Sequence, residues 1–147
     1  MSDYLKIIQD AQHKRKPLEA NRFVKISERE EKSDIPPEAW TPLLGKSHLQ
    51  TWKGMILWKS VTEIGIYPML LYELQPKTII EIGAYTGGSA VWLADCLEMF
   101  KIDGTVYSID IDLSMLDEQA KNDSRIQFLE GDANNLGSVL PAEQLSK

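Results

Sequence analysis

The run Ile79-Ile80-Glu81-Ile82-Gly83-Ala84-Tyr85-Thr86-Gly87-Gly88-Ser89-Ala90 constrains this chain more than any other segment. A β-branched stretch runs straight into a glycine-rich turn, and a helical pattern follows. Such a junction forms where a strand of a parallel sheet hands over to a helix and a ligand comes close to the backbone. Gly83, Gly87 and Gly88 clear side chains from that turn. The helix behind it offers free N–H groups and the positive end of its dipole. Ala84, Tyr85 and Ser89 complete the candidate binding turn.

The pattern is Glu-x-Gly-x-x-x-Gly-Gly. It departs from the Gly-x-Gly-x-x-Gly of dinucleotide binders in glycine spacing and in the acid, Glu81, that precedes the first glycine. A carboxylate there repels a pyrophosphate. It suits a ligand that carries an ammonium and a sulfonium and no phosphate, and S-adenosylmethionine is such a ligand. The alternative is a tight turn that binds nothing. Two further features agree with the ligand. Asp110 falls about 20 residues on, at the tip of the next strand, where an acid accepts both hydroxyls of a ribose. Ile111 would then lie near the adenine, and Asp112 either joins the site or caps a helix beginning near Leu113. After the third strand, Asp132-Ala133 places an acid that either accepts the adenine amino group or serves as a turn residue.

The rest of the chain divides at about residue 60. Residues 1–60 read as a helical and loop segment, a candidate lid or oligomerisation region. Leu5, Ile7, Ile8 and Ala11 suggest one face of a short helix, His13 to Lys16 a solvated basic helix end, and Glu28 to Lys32 a charge run. Pro36, Pro37 and Pro42 each lack an amide donor and suggest loop. Residues 61–147 read as a half domain for S-adenosylmethionine. A helix with Tyr67-Pro68 in its first turn ends at Gln75-Pro76. A buried strand covers Thr78–Ile82, and a helix runs from Gly87 to about Lys101 with Val91, Leu93, Ala94 and Leu97 as core. A strand follows over Thr105–Asp110, a helix over Leu113–Lys121, a strand over Arg125–Leu129, and a helix or turn over Asn134–Leu140. Alternating strands and helices with short connections imply an α/β, Rossmann-like three-layer sandwich with a parallel sheet, incomplete at its first three strands.

Composition sets the partners. A net charge of −6 argues against a general nucleic-acid or membrane-surface binder and fits an enzyme of small molecules. One cysteine, Cys96, excludes an internal disulfide. With no export signal and no apolar run long enough for a membrane, the expected setting is cytoplasmic. Cys96 reads as a small buried residue, and His13 and His48 as isolated surface histidines with no metal-ligand spacing. Trp52, Trp58 and Tyr67 either form an aromatic lid or pack the N-terminal segment on the sheet.

These residues resemble the class I S-adenosylmethionine-dependent methyltransferases. Thr51-Trp52-Lys53-Gly54, Leu57-Trp58-Lys59, Tyr67 and Glu73-Leu74-Gln75-Pro76, running into the glycine turn, look more narrowly like the cephalosporin-hydroxylase-like group, which includes O-methyltransferases. The resemblance covers roughly residues 50–135. Glu63 departs from it, standing where the group tends to have Asp. The resemblance implies methyl transfer to an oxygen of a small secondary metabolite or sugar, with S-adenosylmethionine and in some members Mg2+. It places the group's metal ligands and general base on the fourth and fifth strands, beyond Lys147, so neither is assigned here. A chain with only three strands is expected to be a truncated or half-length product with an open sheet edge. It would form a homo-oligomer or pair with a complementing C-terminal half. A non-catalytic interaction module of the same fold is the alternative function, and a nicotinamide-dependent dehydrogenase is disfavoured by Glu81.

Overall fold

The structure, a computed structural model, describes residues 3–13, 25–28, 36–140 and 142–145. The chain forms two compact units, Met1–Asp34 and Ile35–Lys147. In the first, α1 spans Asp3–His13 and a 3-10 turn covers Ile26–Glu28. Leu5, Ile7 and Ile8 are exposed on α1. Lys14 to Lys16 and Arg29 to Lys32 lie outside the described residues.

The second unit opens with a helix where loop was expected. α2 spans Pro37–Leu44 with Pro37 in its first turn, where no amide donor is needed. Pro42 sits inside it, and Gly45 N–H closes the end on the Thr41 carbonyl at 3.0 Å. A small hairpin follows, of β1 (Thr51–Trp52) and β2 (Met55–Ile56). Its turn residues Lys53 and Gly54 both have positive φ, 50° and 86°, which is the type I′ geometry that matches strand twist.

α3 (Val61–Leu74) starts seven residues before Pro68, which therefore lies inside the helix and not in its first turn. The earlier start comes from a capping box. The Ser60 hydroxyl accepts from the Glu63 amide at 3.3 Å, and the Glu63 carboxylate accepts from the Ser60 amide at 2.7 Å.

The sheet is β3 (Thr78–Ile82), β4 (Thr105–Asp110) and β5 (Ile126–Glu130), parallel and in that order. Thr78 pairs with Thr105 and Ile82 with Ile109, and Val106 pairs with Ile126 and Asp110 with Glu130. α4 (Gly88–Met99) crosses from β3 to β4, and its Val91, Trp92, Leu93, Ala94, Cys96 and Leu97 are all buried. They form the main core with Leu57, Leu71, Val106, Ala120 and Ile126. Alternate residues of β4 point the other way. There Tyr107 and Ile109 meet Leu140, with Leu136 and Val139 of α6 (Leu136–Val139) packed alongside. Helix, sheet and helix make the three expected layers.

Two expectations change. The helix expected over Leu113–Lys121 is only the short α5 (Glu118–Lys121). Asp112 folds the chain back by accepting from the Ser114 amide at 2.8 Å, and Asp117 supplies the cap by accepting from Gln119 N–H at 2.8 Å. Strand β3 is not buried on both sides. Ile80 and Ile82 are 39% and 63% exposed, and the buried side chain between them is the acid, Glu81. The face that carries Glu81 lies under the start of α4, while the isoleucines face outward.

The hairpin is fastened to α4 through one carboxylate. Asp95 accepts from Trp52 Nε1 at 2.7 Å and pairs with Lys53 Nζ at 2.7 Å and with Arg125 Nη2 at 2.8 Å. Arg125 also pairs with Asp123 at 2.6 Å and with Glu98. Among the described residues no helix is long and apolar enough to cross a membrane.

Candidate functional site

The turn between β3 and α4 is held open by backbone geometry and one acid. Gly83 has φ +91° and Gly87 φ +84°, and Tyr85, a non-glycine, also lies in the left-handed region at φ +47°. Asp110 at the tip of β4 reaches back to this turn. Its Oδ2 accepts from the Ala84 amide at 2.8 Å and from the Tyr85 amide at 3.0 Å. These bonds hold the Asp110 carboxyl below the ordinary range, the Tyr85 amide most of all, with burial opposing. Its other oxygen takes a long 3.4 Å contact from the Asp112 amide, and the Ile111 amide also helps to lower the carboxyl, so acceptor capacity remains at the mouth of the turn.

The three glycines do different work. A Cβ built on Gly83 would meet nothing within 4 Å, so the space above it is open. One on Gly87 would meet the Ala120 Cβ at 2.5 Å, and one on Gly88 would meet the Ile56 carbonyl oxygen at 2.2 Å. The pair was expected to admit a ligand or to allow the turn's dihedrals, and Gly87 does the second at φ +84°. In the structure these two glycines admit neighbouring protein, α5 and the hairpin, while Gly83 alone leaves room for something else.

That room continues into a cleft of about 210 Å³ at the carboxyl ends of the strands. Gly83, Asp110, Ile111, Gly131, Asp132 and Ala133 line it, with Ile82 and Ile109 at its floor. The structure thus brings together five of the sequence-predicted site residues, Gly83, Asp110, Ile111, Asp132 and Ala133. Asp132 accepts from the Asn134 amide at 2.8 Å and caps the 3-10 turn Ala133–Asn135, so its turn role is observed. Asp112 lies apart from this lining and makes the turn described above. The lining holds two carboxylates and no lysine or arginine. A phosphate would find no counter-charge there. The cleft is smaller than the ~300–1,000 Å³ usual for ligand pockets, so a nucleoside-sized molecule would extend beyond it.

Glu81 stands behind the turn and is only 8% exposed. Ser108 Oγ donates to one carboxylate oxygen at 2.7 Å and Ser89 Oγ to the other. Burial pushes the Glu81 carboxyl up, while the two hydroxyls and the charge of Lys59 pull it down, with a net rise. The partner Ser108 was missed in the sequence. It is a fully buried polar residue between Tyr107 and Ile109 in the middle of β4, directly opposite Glu81 in the register, and a serine flanked by apolar residues is the signal that could have found it.

The raised carboxyl gives a pH signature. A carboxyl whose folded value exceeds its unfolded one stabilises the fold at low pH and loses that contribution as pH rises through the folded value. Glu81→Gln is therefore expected to gain stability relative to the parent as pH climbs from below 4.5, the ordinary value, toward neutrality. Denaturant midpoints of both proteins across that range check the sign.

Of the three aromatics, Trp52 and Tyr67 pack into the core, Tyr67 edge-on to Trp92 with centroids 5.8 Å apart. Trp58 is exposed and meets Tyr85 of the turn edge-on, also at 5.8 Å. Cys96 is buried as expected, and burial pushes its thiol up to about 11. Among the described residues, no three His, Cys, Asp or Glu side chains gather where they could hold a metal ion.

A parallel sheet whose first strand carries an acid into an open glycine turn, with a second acid bracing that turn, defines a Rossmann-like domain of the methyltransferase class. Residues 46–140 match the model of the family described as Rhamnosyl O-methyltransferase/CmcI, and the chain belongs to that family. The Rhamnosyl O-methyltransferase of Mycobacterium bovis is 33% identical over 85 residues, covering 58% of this chain and 35% of the relative. That of Mycobacterium leprae is 36% identical over 80 residues, covering 54% and 34%. The chain thus spans about a third of the length of the curated relatives it matches. A solved structure described as CmcI with SAH superposes with a TM-score of 0.56 at 33% identity, covering 71% of this chain and 56% of that one. One described as CmcI with Mg-SAM gives 0.57 at 29% identity, covering 86% and 60%.

Proposed function

We propose that this chain supplies the S-adenosylmethionine-binding part of an O-methyltransferase that acts on a sugar or another small metabolite. The observation that carries the reading is the acidic cleft above Gly83, open to the backbone and without a cation to receive phosphate. The free oxygen of Asp110 would accept the ribose hydroxyls, Ile111 would lie on the adenine, and Asp132-Ala133 would face the adenine edge. Glu81 would take the ammonium at the amino-acid end, since a carboxylate bonded by two hydroxyls still has acceptor sites to spare. Tyr85, Gly87, Gly88, Ser89 and Asp112 would shape or flank the turn without each touching the ligand.

When bound, the sulfonium makes its methyl group electrophilic, and the protein has to align the acceptor oxygen and remove its proton. Solved CmcI structures described with SAH and with Mg-SAM support the cofactor and leave room for Mg2+ in the whole enzyme. No described residue set here fits the metal, and none is assigned to it. A cytoplasmic setting, a role of residues 1–60 as lid or oligomerisation region, and assembly as a homo-oligomer or with a complementing C-terminal half belong to the same proposal.

Calorimetric titration with S-adenosylhomocysteine tests the reading. Saturable heat is expected, together with a rise in melting temperature. Reduced nicotinamide cofactor should give no change in fluorescence. Absence of heat and of thermal shift at millimolar S-adenosylhomocysteine would remove the cofactor assignment for this chain.

A further inference from the structure

The amino-acid end of the proposed ligand is a zwitterion, and Glu81 answers only its positive half. The negative half needs a cation beside the same turn. Lys53, Lys77, Lys121 and Arg125 are each committed, to Asp95, Asp103, Glu118 and the Asp95–Asp123 pair. Lys101 follows the far end of α4, and Lys46 is exposed before the 3-10 turn Ser47–Leu49, ahead of the hairpin. Lys59 makes no ion pair within 4 Å among the described residues, although its charge also acts on the Glu63 carboxylate, and its ammonium lies 5.7 Å from the centre of the Tyr67 ring.

Its place is fixed from both sides. Leu57 before it is buried and donates its amide to Gln50 at 2.8 Å, and Ser60 after it is buried as the cap of α3. The segment also meets the turn itself. Thr86 Oγ1 donates to the Ile56 carbonyl at 3.3 Å, and Trp58 stacks edge-on to Tyr85. Lys59 is near enough to Glu81 for its charge to lower that carboxyl. A partly buried lysine whose ammonium lies over an aromatic face, pinned by its neighbours and near enough to a buried carboxylate to act on its charge, offers the two opposite charges that an α-amino acid group needs.

We propose that Lys59 binds the α-carboxylate of the ligand and, with Glu81, forms a two-point clamp on its amino-acid end. The inference rests on the cofactor reading above. It makes Lys59 a specificity-determining residue, one that separates ligands bearing a free carboxylate from nucleosides that lack one. The Tyr67 ring holds the ammonium in place while no anion is present.

The test compares S-adenosylhomocysteine with 5′-methylthioadenosine, which keeps the nucleoside and lacks the amino acid. Both are titrated into the full chain as parent, Lys59→Met and Lys59→Arg, with melting curves confirming that each variant folds. Lys59→Met is expected to weaken S-adenosylhomocysteine at least tenfold and to leave 5′-methylthioadenosine within twofold, and Lys59→Arg to recover most of the loss. Equal weakening of both ligands, or of neither, overturns the clamp while the cofactor reading stands. If the folded parent binds neither ligand, the cofactor reading fails and the clamp with it.

Discussion

Gly88→Ala is expected to cost the fold about 3 kcal/mol, the upper part of the range for forcing one methyl into a packed site. The new Cβ would stand 2.2 Å from the Ile56 carbonyl oxygen and 2.9 Å from its carbon. Both are backbone atoms, so no side-chain rotation relieves the contact. Either the hairpin or the first turn of α4 has to move, and Met55 and Leu57 lose part of their burial in the main core when it does. Gly65→Ala is the control. It lies inside α3 with nothing within 4 Å of a built Cβ, and should stabilise by about 0.8–1 kcal/mol through helix propensity alone. Chemical denaturation of the two variants beside the parent reads the opposite signs. A loss below about 0.5 kcal/mol at Gly88 would show that the close approach of hairpin and helix does not hold in solution.

The second large effect is on binding. Asp110→Ala removes the acceptor that two consecutive amides of the turn share, Ala84 and Tyr85. Each bond is to a charged group and is worth about 1.5–3 kcal/mol. Tyr85 at φ +47° has no reason to keep its left-handed conformation once its amide is released. The turn should then relax, and the acceptor proposed for the ribose goes with it. Affinity for S-adenosylhomocysteine is expected to fall by roughly a hundredfold, about 2.7 kcal/mol, and stability by about 2 kcal/mol. Asp112→Ala is the comparison, because its carboxylate bonds the Ser114 amide outside the cleft. Titration calorimetry and melting should show it close to the parent in both. Similar losses at both positions would mean that the tip of β4 matters only as a whole and that Asp110 has no separate part in the site.

Where local chemistry decides the outcome, the sequence reading holds. Thr78–Ile82 and Thr105–Asp110 are the strands expected, because β-branched runs bounded by Pro76, Gly83 and Gly104 leave few other conformations. The core positions of α4 follow from apolar spacing in the same way. The hairpin escaped notice because two strands of two residues carry no periodicity, and its turn is Lys-Gly where Asn-Gly or Asp-Gly is the usual signal. The start of α3 was legible in Ser60 and Glu63, a capping box at the right spacing, but Pro68 was read as the first turn in its place. Pro36, Pro37 and Pro42 suggest loop over α2 because proline breaks a helix interior, but Pro37 sits in the first turn, where an amide is not needed. The reach of α5 was overstated because Leu113 and Leu116 have helical spacing while Asp112 and Asp117 bind nearby amides first.

The site divides along the same line. Which residues gather at the strand tips follows from the order of strands, so Asp110, Ile111 and Asp132 could be placed from pattern alone. Why Gly87 and Gly88 are glycine could not. Beyond the positive φ of Gly87, the answer lies in Ala120 and in Ile56, about 30 positions away in either direction, and contacts of that range leave no mark in a single sequence. Glu81 shows both sides: its place on the strand before the first glycine is plain in the sequence, yet its two serine partners and its burial depend on the register of β3 against β4.

The lone thiol of Cys96, sealed in the middle of α4 against the sheet, gives this protein an internal clock. A disulfide reagent added to the folded chain cannot reach the sulfur until the helix lifts, so the speed of modification counts openings of the core and nothing at the surface competes for the reagent. Any occupant of the cleft that tightens the junction of β3 with α4 would slow that clock, whatever its own colour or heat of binding.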